Sequence, residues 1–545
     1  MRNTQRRVFR TTTGKGESVV SVNVAQGMNA AAAPAAAPTA FRPDSTPEPA
    51  PYRGLYVGGR WSSTNGGTTR AISCPADGSP VATVLECSAA DAGAALDCAR
   101  RTFDEGTWAS LPERQRGEIL LRAADLLLRD KGHYARAEAL DTGKRLVEAQ
   151  FDVDDIVACF RYYGGIAGTD AGRVVDTGNA HTISRIVHAP VGVCSLITPW
   201  NYPLLQVSWK VAPALLAGNT FVLKPSELTP STAILLMDTL AEAGVPAGVA
   251  NLVTGNGSEV GSILTSDPRV DMVSFTGGLE TGKAVMAAGA GTVKKVALEL
   301  GGKNPNIIFA DADLEAATDH ALTAVFLHSG QVCSAGARLI VAAELHDRIV
   351  DEIVARAAHI KLGGPFDDTA ETGPLISAAH RNAAHRNKVH AYVQAGVAEG
   401  AVLRTGGVIP TEGALAQGFY YPPTVLDGCT RTMTVIREES FGPVLTVEVF
   451  HTETEAIEIA NDTHFGLAGA VWTSDASRAQ RVAGALRHGT IWINDYHPYV
   501  PQAEWGGFGQ SGNGRELGPS GLAEYREIKH IWQNIAPAPQ YWFPH

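Results

Sequence analysis

Short apolar runs and longer stretches with helical spacing alternate along most of the chain. From about residue 91, apolar side chains recur at every third or fourth position, as at Ala94, Ala95, Cys98 and Ala99, which predicts amphipathic helices. Beyond Gly192 the pattern changes to short apolar runs between helix-like stretches. These runs lie at residues 192–198, 220–223, 250–253, 272–276 and 296–300. Such alternation is typical of a parallel β-sheet whose two faces are covered by helices.

A second series of apolar runs follows downstream and predicts a second α/β unit. Its runs lie at residues 306–309, 338–341, 444–450 and 490–494. We therefore predict an α/β protein with two domains, because 545 residues exceed the ~50–250 residues of a usual domain. The first domain is predicted to contain residues 51–170 and 190–301, and the second residues 302–525.

Two further segments fit neither domain. Residues 171–189 have the pattern of a β-hairpin that interrupts the first domain, and residues 526–545 contain what reads as a lone strand. A lone strand would leave its backbone groups unpaired. We therefore predict that these segments are oligomerisation strands, and that the protein self-associates as a dimer or tetramer.

Residues 1–50 are predicted to form a disordered tail. The stretch from Ala30 to Ala40 is almost entirely alanine and proline, with too little apolar area to offset the entropy of ordering. Four arginines and no acidic residue stand among the first ten positions, as in some transit peptides. The favoured alternative is that Met28 is the true initiator.

Charge and cysteine usage exclude several classes of protein. The formal net charge of −11 argues against nucleic-acid binding, which requires basic clusters. No apolar run approaches the ~20 residues of a membrane span, so we expect neither a nucleic acid nor a membrane as partner. The seven cysteines are scattered without CxxC spacing, which indicates a reducing, cytoplasmic location and predicts no disulfide framework and no metal site.

One cysteine is a candidate for chemistry. Cys333 lies among small and polar residues in GQVCSAG and is predicted to lie near a helix start or in a loop, where a lowered thiol pKa would favour attack on a carbonyl. Glu299 in LELGGKN ends a predicted strand before two glycines, so its carboxylate is a candidate general base facing a cleft. For either residue alone the alternative is a structural role.

Two polar segments end predicted strands of the first domain. Asn201 in PWNYP lies where open α/β sheets bind ligands, and its amide is a candidate oxyanion donor; simple turn formation is the alternative. Lys224 and Glu227 in LKPSE are candidates for holding the ribose of a dinucleotide. The alternative is a helix start, with Ser226 as cap and Glu227 beside the helix dipole, and both interpretations are compatible.

Glycine-rich turns follow two successive predicted strands. Gly257 and Gly261 belong to a turn with the spacing GxGxxxG, one residue longer than the dinucleotide fingerprint. Gly277 and Gly278 follow the next strand in SFTGG. Two such turns in series predict a nucleotide crevice. The carboxylate of Glu227 favours NAD over NADP, because it would repel a 2′-phosphate.

Together these motifs resemble those of the NAD(P)-dependent aldehyde dehydrogenase superfamily. Over roughly residues 52–535 they occur in the superfamily's order: PWNYP, LKPSE, FTGG, LELGGKN, GQVCSAG and EESFGP. The resemblance implies a Rossmann-like NAD-binding domain, an α/β catalytic domain and a small β oligomerisation element. It also implies that NAD oxidises an aldehyde to a free acid through a cysteine thiohemiacetal and a thioester.

The resemblance also implies a role for each motif residue. Cys333 would be the nucleophile, and Asn201 would form the oxyanion hole with the Cys333 N–H. Glu299 would activate the hydrolytic water, with Lys210 and Glu516 as a proton path behind it. The residues implied in cofactor binding are Thr198, Pro199, Trp200, Lys224, Ser226, Glu227, Gly257, Gly261, Phe275, Thr276, Gly277, Gly278, Leu300, Gly301, Glu439 and Phe441. At Gly278 the family often carries serine, so a hydroxyl near the pyrophosphate is missing.

The region around WINDYHPY and AEWGG closely resembles the branch of the superfamily that oxidises betaine aldehyde in Gram-positive bacteria. Aromatic rings in that branch surround the trimethylammonium group, with cation–π attraction of ~0.5–2 kcal/mol for each ring. The residues implied in substrate binding are Tyr202, Trp209, Val332, His497, Tyr499 and Trp505. Two positions depart from the pattern: Leu327 makes one wall aliphatic, and Glu504 replaces a more usual proline.

Several alternatives remain open. The same rings would also line a pocket for an ω-aminoaldehyde of the 4-aminobutyraldehyde type, or for a broad range of aldehydes. A semialdehyde would require a basic residue near its carboxylate, where the chain has aromatic residues and His497. In a different class, the chain would be a non-catalytic relative or an NAD-independent thioesterase or esterase. The complete catalytic set argues against the first of these, and the cofactor set against the second.

Overall fold

The computed structural model describes residues 53–64, 68–169, 172–376 and 384–543, and the predicted tail at residues 1–50 lies outside these ranges. The strands are β1 (Leu55–Val57), β2 (Arg60–Ser62), β3 (Thr68–Ser73), β4 (Pro80–Glu86), β5 (Arg173–Val175), β6 (Thr182–Pro190), β7 (Val193–Ile197), β8 (Thr220–Lys224), β9 (Ala250–Val253), β10 (Met272–Thr276), β11 (Lys295–Glu299), β12 (Pro305–Ile308), β13 (Arg338–Ala342), β14 (Val402–Thr405), β15 (Thr424–Asp427), β16 (Val444–Phe450), β17 (Ala468–Trp472), β18 (Thr490–Ile493), β19 (Gly512–Asn513) and β20 (Arg526–Asn534). The helices are α1 (Ala89–Asp104), α2 (Glu113–Arg129), α3 (Lys131–Thr142), α4 (Leu146–Gly165), α5 (Pro203–Ala217), α6 (Ser231–Ala243), α7 (Ser262–Ser266), α8 (Leu279–Ala290), α9 (Leu314–Phe326), α10 (His346–Ala357), α11 (Ala384–Ala398), α12 (Thr434–Arg437), α13 (Glu453–Asn461), α14 (Ala476–Ala485) and α15 (Gly518–Glu524). Within the described ranges, no helix is long and apolar enough to cross a membrane.

Eight strands form the first sheet, in the order β19-β11-β10-β7-β8-β9-β1-β2. The five central strands are parallel, and β19, β1 and β2 run antiparallel at the edges. Each apolar run predicted beyond Gly192 forms one of the central strands. Their continuous hydrophobicity follows from burial on both faces, because Val193 and Val222 pack in one apolar cluster while Cys194 and Leu223 pack in another.

Helices cover both faces of this sheet. Helix α1 begins at a reciprocal cap, in which the Ser88 hydroxyl accepts from the Asp91 N–H and the Asp91 carboxylate accepts from the Ser88 N–H. The buried side of α1 packs in the same cluster as Val193. Helix α5 lies in the other cluster and is buried on all sides. This burial makes α5, which carries several candidate site residues, a rigid support.

The second sheet has seven strands in the order β14-β15-β16-β13-β12-β17-β18. All neighbouring strands are parallel except β14, which pairs antiparallel with β15. The four predicted runs form β12, β13, β16 and β18. The sequence pattern did not reveal β17, although it lies between β12 and β18, because small residues dominate its stretch AGAVW. The α/β prediction is confirmed.

The predicted boundary after residue 301 falls between β11, in the first sheet, and β12, in the second. The short strand β19 returns to the first sheet and pairs with β11 through Leu298 and Asn513. Residues predicted to belong to the second domain therefore contribute to the first sheet. The domain bounds themselves stay a prediction.

The third sheet joins the predicted hairpin to the end of the chain. Strands β5 and β6 form the hairpin, and β20 pairs antiparallel with β6 from Arg526 opposite Pro190 to Asn534 opposite Thr182. The prediction of a lone terminal strand is therefore wrong. Its backbone partner lies in the same chain, far upstream, where a local pattern cannot reveal it.

Candidate active site

Cys333 lies in the loop that joins α9 to β13, not at the start of a helix. Three residues near the start of this segment adopt left-handed backbone angles: His328 with φ 47°, Ser329 with φ 53° and Gly330 with φ 71°. Non-glycine residues in this conformation cost about 1–3 kcal/mol each and persist where contacts enforce them. Here the Ser329 N–H donates to the Thr372 hydroxyl at 3.0 Å. Cys333 is half-buried, whereas the other six cysteines are buried free thiols.

Asn201 lies against the Cys333 loop, as its predicted role requires. It follows β7, and its amide Nδ2 donates to the Gln331 carbonyl at 2.8 Å. Since an amide nitrogen carries two hydrogens, one bond orients the group and the second hydrogen stays available to a ligand. Val332, the predicted substrate contact, lies between Gln331 and Cys333 and is buried.

Two residues to which no role was assigned from the sequence hold the same loop. Asn304 Nδ2 donates to the carbonyls of Cys333 and Ala335, each at 2.9 Å. The Tyr496 hydroxyl donates to the Ser334 carbonyl at 2.9 Å. Asn304 belongs to the motif LELGGKN, which is the only signal that the sequence offered for it.

Glu299 ends β11, and its Oε1 atom has no hydrogen-bond partner among the described residues. Burial and then the neighbouring Glu516 raise its pKa well above the usual range, while Lys210 opposes this shift. Lys210 donates to Ser274 Oγ at 3.0 Å and forms a buried ion pair with Glu516. The structure thus brings Glu299, Lys210 and Glu516 together, as the proton path requires.

The Cys333 thiol is close to two carboxylates. Burial, followed by Glu299 and Glu439, raises its pKa above the ordinary value. No helix N-terminus offsets this shift, in contrast to the lowered pKa that the sequence suggested. The resting sulfur is therefore protonated at neutral pH, and its attack on a carbonyl requires a base beside it.

The predicted ribose contacts follow β8. Lys224 Nζ lies 3.7 Å from Glu227 Oε2 and donates to the Pro225 carbonyl at 3.1 Å. The suggestion that Ser226 caps a helix is wrong, because helix α6 begins only at Ser231. The Ser226 hydroxyl instead accepts from the Leu228 N–H at 3.2 Å, within a turn.

The glycine turns leave open space at the carboxyl ends of the first-sheet strands. A Cβ atom on Gly257 or Gly278 would meet no atom within 4 Å, and one on Gly261 would meet only the Lys224 side chain at 3.9 Å. Gly277 differs, because a Cβ there would lie 2.5 Å from the Phe275 ring. Gly278 caps α8 without a side-chain hydrogen bond. Close approach of a ligand to the backbone is therefore possible at three of these four glycines.

Two threonines lie at the same ends of the first-sheet strands. The hydroxyls of Thr198, after β7, and Thr276, at the end of β10, are buried without hydrogen-bond partners among the described residues. A buried hydroxyl of this kind requires water or a ligand. Pro199 and Trp200 continue directly from Thr198.

Glu439 and Phe441 follow the Cys333 loop in the sequence, whereas the glycine turns precede it. Glu439 reaches the residues that follow β11. The Gly302 N–H donates to Glu439 Oε1 at 3.0 Å, and Gly301 leaves the room that this carboxylate occupies. Burial raises the pKa of Glu439 to about 7. Leu300 is fixed by its N–H, which donates to the Ser511 carbonyl at 2.9 Å.

Phe441 is part of an aromatic group. Its ring is edge-on to Trp200 at 5.3 Å, and its backbone φ of 54° is left-handed. His385, which the sequence analysis missed, is bonded through Nε2 to the Phe441 carbonyl at 2.8 Å. Burial lowers the pKa of His385 to about 4, so its ring is neutral and its N–H donates.

Aromatic rings predicted to bind substrate form one cluster. Trp209 on α5 lies 5.4 Å from Tyr499 and 5.9 Å from Trp505, and these two rings lie 6.2 Å apart. Tyr202, Tyr499 and Cys333 pack, partly buried, against the apolar cluster that contains both tryptophans. Cys333 and the rings therefore contact the same large apolar cluster.

The structure shows the contacts of three further residues from this part of the sequence: Tyr499, His497 and Glu504. The Tyr499 hydroxyl donates to Asp155 Oδ2 at 2.7 Å, a contact that the sequence did not suggest. His497 packs 4.9 Å from Tyr496 and faces the backbone at the end of α9, and Trp492 lies 6.2 Å from His497 and 6.3 Å from Trp505. Its predicted substrate contact stays a prediction. Glu504 accepts from Ser520 Oγ at 3.0 Å, at the start of α15.

The family model described as "Aldehyde dehydrogenase family" matches residues 61–531, and the chain belongs to this family. Among curated relatives, it is 54% identical over 489 residues to the betaine aldehyde dehydrogenase of Bacillus subtilis strain 168, covering 90% of this chain and 99% of the relative. It is 40% identical to betaine aldehyde dehydrogenase 1 of Oryza sativa subsp. japonica, covering 92% of this chain and 99% of the relative. A crystal structure of betaine aldehyde dehydrogenase from Staphylococcus aureus in complex with NAD+ matches with a TM-score of 0.89 at 47% identity, covering 90% of this chain and 97% of that chain. The resemblance inferred from the motifs is confirmed.

Proposed function

We propose that the protein oxidises betaine aldehyde to glycine betaine, with NAD as hydride acceptor and water as co-reactant. The observation that carries this proposal is the cluster of Trp209, Tyr499 and Trp505, with Tyr202 nearby, packed in the same region as Cys333. A quaternary ammonium group donates no hydrogen bonds, and aromatic faces attract it. The relatives named above support the same substrate.

The first step is formation of a carbon–sulfur bond. A carboxylate beside Cys333 takes the thiol proton, and the sulfur adds to the aldehyde carbon to give a thiohemiacetal. The free hydrogen of the Asn201 amide and the Cys333 N–H then stabilise the oxyanion, a contribution of about 3–4 kcal/mol per donor in other enzymes. Asn304 and Tyr496 maintain the loop in this geometry.

The residues at the carboxyl ends of the first sheet fit a dinucleotide. Open space at Gly257 and Gly278, the unpartnered hydroxyls of Thr198 and Thr276, and Lys224 beside Glu227 offer donors and room for phosphate and ribose groups. NAD, when bound, accepts the hydride that converts the thiohemiacetal to a thioester. The Glu227 carboxylate disfavours the 2′-phosphate of NADP.

The last step is hydrolysis of the thioester. Glu299 takes a proton from water, the hydroxide adds to the acyl carbon, and the carbon–sulfur bond breaks to release the acid and restore the thiol. Oε1 of Glu299 is free for this contact. The buried pair of Lys210 and Glu516 carries the proton away from the site.

Replacing Trp505 with alanine tests the cation-binding role of the rings. We expect the KM for betaine aldehyde to rise about tenfold, through lost cation–π attraction of ~0.5–2 kcal/mol and lost apolar contact. The KM for 3,3-dimethylbutyraldehyde, which has the same shape without the charge, should rise less. NADH formation at 340 nm measures both. Trp61→Ala, in the edge strand β2, serves as control. Equal effects on the two aldehydes would contradict the proposal.

Asp155 favours a second candidate substrate class. Its half-buried carboxylate, bonded to Tyr499 through one oxygen, is able to accept a hydrogen bond from a primary ammonium group. An ω-aminoaldehyde such as 4-aminobutyraldehyde would use it, whereas a trimethylammonium group would not. If 4-aminobutyraldehyde has a much higher kcat/KM than betaine aldehyde, this second function replaces the first.

We further propose self-association through the third sheet. Ile528 and Trp532 expose apolar side chains on one face of this sheet, and Val175 lies on the same face, in register with Trp532 across Ser184. Both edge strands of the sheet are open within the described residues. Monomers rarely expose contiguous apolar patches of this kind.

A reducing location, the cytoplasm, is also proposed, because all seven cysteines are free thiols.

Replacing Ile528 with aspartate tests this interface. The side chain is 72% exposed in one chain, so the charge is tolerated there and penalised only where a second copy covers it. We expect a smaller species in size-exclusion chromatography with light scattering. Val408→Asp, at a side chain that is 64% exposed and away from this sheet, should leave the mass unchanged. An unchanged mass for Ile528→Asp would contradict the interface.

A further inference from the structure

A buried lysine lies against one of the proposed substrate-binding rings. Lys144 follows α3, and its side chain is fully buried. Its ammonium nitrogen lies 4.1 Å from the centroid of the Tyr202 ring, which is within cation–π range. Tyr202 is itself partly exposed. Because Lys144 is fully buried, the part of the ring that it covers is not the accessible part.

The charge of Lys144 is compensated by one direct partner. Lys144 Nζ lies 2.5 Å from Asp152 Oδ2, and Asp152 on α4 is buried. Two other carboxylates are near but have other partners. Glu138 accepts from Thr232 Oγ1 at 2.8 Å, and Glu148 pairs with Arg145 at 3.1 Å. Asp152 is thus the group that neutralises Lys144.

The positive charge of Lys144 also affects His328, a residue close to Cys333 in the sequence. His328, in the left-handed turn before Cys333, lies 5.3 Å from Tyr202 between ring centroids and is buried. Burial first, and then the positive charge of Lys144, lower the pKa of His328 well below its usual range. His328 therefore stays neutral, and the positive charge of Lys144 acts beyond Tyr202 on a residue of the segment that carries Cys333.

We propose that the Lys144–Asp152 pair determines the specificity of the site, with Lys144 supporting Tyr202 from its buried side and Asp152 cancelling the repulsion between Lys144 and a cationic aldehyde. This inference rests on the proposed function, because only a cationic substrate experiences that repulsion. Two cations on opposite faces of one ring are roughly 8–10 Å apart. At an effective dielectric constant of ~20, their uncompensated repulsion weakens binding on the order of tenfold.

The test compares two aldehydes of the same shape in holoenzyme with saturating NAD. The measured quantity is kcat/KM for betaine aldehyde divided by kcat/KM for 3,3-dimethylbutyraldehyde. Asp152→Asn keeps a hydrogen-bond acceptor for Lys144 but removes the compensating charge, and we expect the ratio to fall about tenfold. In Lys144→Gln/Asp152→Asn no charge remains, and the ratio should return to within about threefold of the wild-type value. A structural role would affect both aldehydes alike and leave the ratio unchanged.

Further variants cover the case in which Asp152→Asn does not fold. Lys144→Gln alone leaves the Asp152 carboxylate uncompensated, so the ratio should rise above the wild-type value. Lys144→Arg keeps the charge and should keep the ratio. The proposal is overturned if the ratio is unchanged in Asp152→Asn, if the double variant stays as low as Asp152→Asn, or if Lys144→Gln does not raise it. A wild-type ratio near one would instead contradict the proposed cationic substrate.

Discussion

Replacing Cys333 with alanine is expected to lower aldehyde oxidation by about 10⁴-fold or more, because the carbon–sulfur bond of the proposed mechanism cannot form. NAD affinity should stay within about twofold of wild type, since the candidate cofactor contacts lie on the first sheet and around Glu439. Steady-state NADH formation at 340 nm and quenching of tryptophan fluorescence by NAD measure the two quantities.

A control variant shows whether the effect is specific to Cys333 or follows from removing any buried thiol. Cys429→Ala removes a buried cysteine next to β15 that has no part in the site. It should reduce stability slightly and leave kcat unchanged. Residual turnover of Cys333→Ala near the wild-type rate would remove Cys333 from the mechanism, and loss of NAD affinity would mean that the loop also shapes the cofactor site.

Glu299→Gln should separate acyl-enzyme formation from hydrolysis. One equivalent of NADH per site is expected in a burst, followed by turnover reduced about 10²–10⁴-fold, because the amide cannot take a proton from water. Since burial raises the pKa of Glu299, the steady rate of the wild-type enzyme should fall as pH decreases through that raised pKa, where the carboxylate becomes protonated.

Rapid-mixing absorbance at 340 nm resolves the burst from the steady phase. Glu504→Gln is the control, because that exposed carboxylate bonds Ser520 at the start of α15 and lies outside the proposed mechanism. If Glu299→Gln turns over at the wild-type rate, another base activates the water. A missing burst would mean that Glu299 already acts on the thiol, which its proximity to Cys333 permits.

The central parallel strands could be predicted because a strand that is buried on both faces consists of consecutive apolar residues, and such a run is visible in the sequence. Strand β17 was missed because alanine and glycine carry little of that signal. The pairing of β20 with β6 was missed for a different reason. Ser184 and His530, which bond across these strands at 2.8 Å, are 346 positions apart, and periodicity reports only local structure.

The residues of the candidate site likewise fall into two groups: those that the sequence predicted and those that only the structure revealed. Cys333, Glu299 and Asn201 stand in motifs whose composition points to chemistry, so the sequence predicted them. Lys144 and Asp155 gain their significance only from contacts, with Tyr202 and Tyr499 respectively, that the fold creates. In the sequence, Lys144 is only a lysine after a glycine and Asp155 only an aspartate in a predicted helix, and neither pattern indicates a function.

The long separation of β6 and β20 has a consequence for biosynthesis. At ~5–20 residues per second, a ribosome needs roughly 20–70 seconds to proceed from one of these strands to the other. During that interval the backbone groups along one edge of β6 are unpaired and available to neighbouring nascent chains. Premature termination before Arg526 would make this exposure permanent. The last of the described strands to be synthesised, β20, is thus the one that covers this edge of β6.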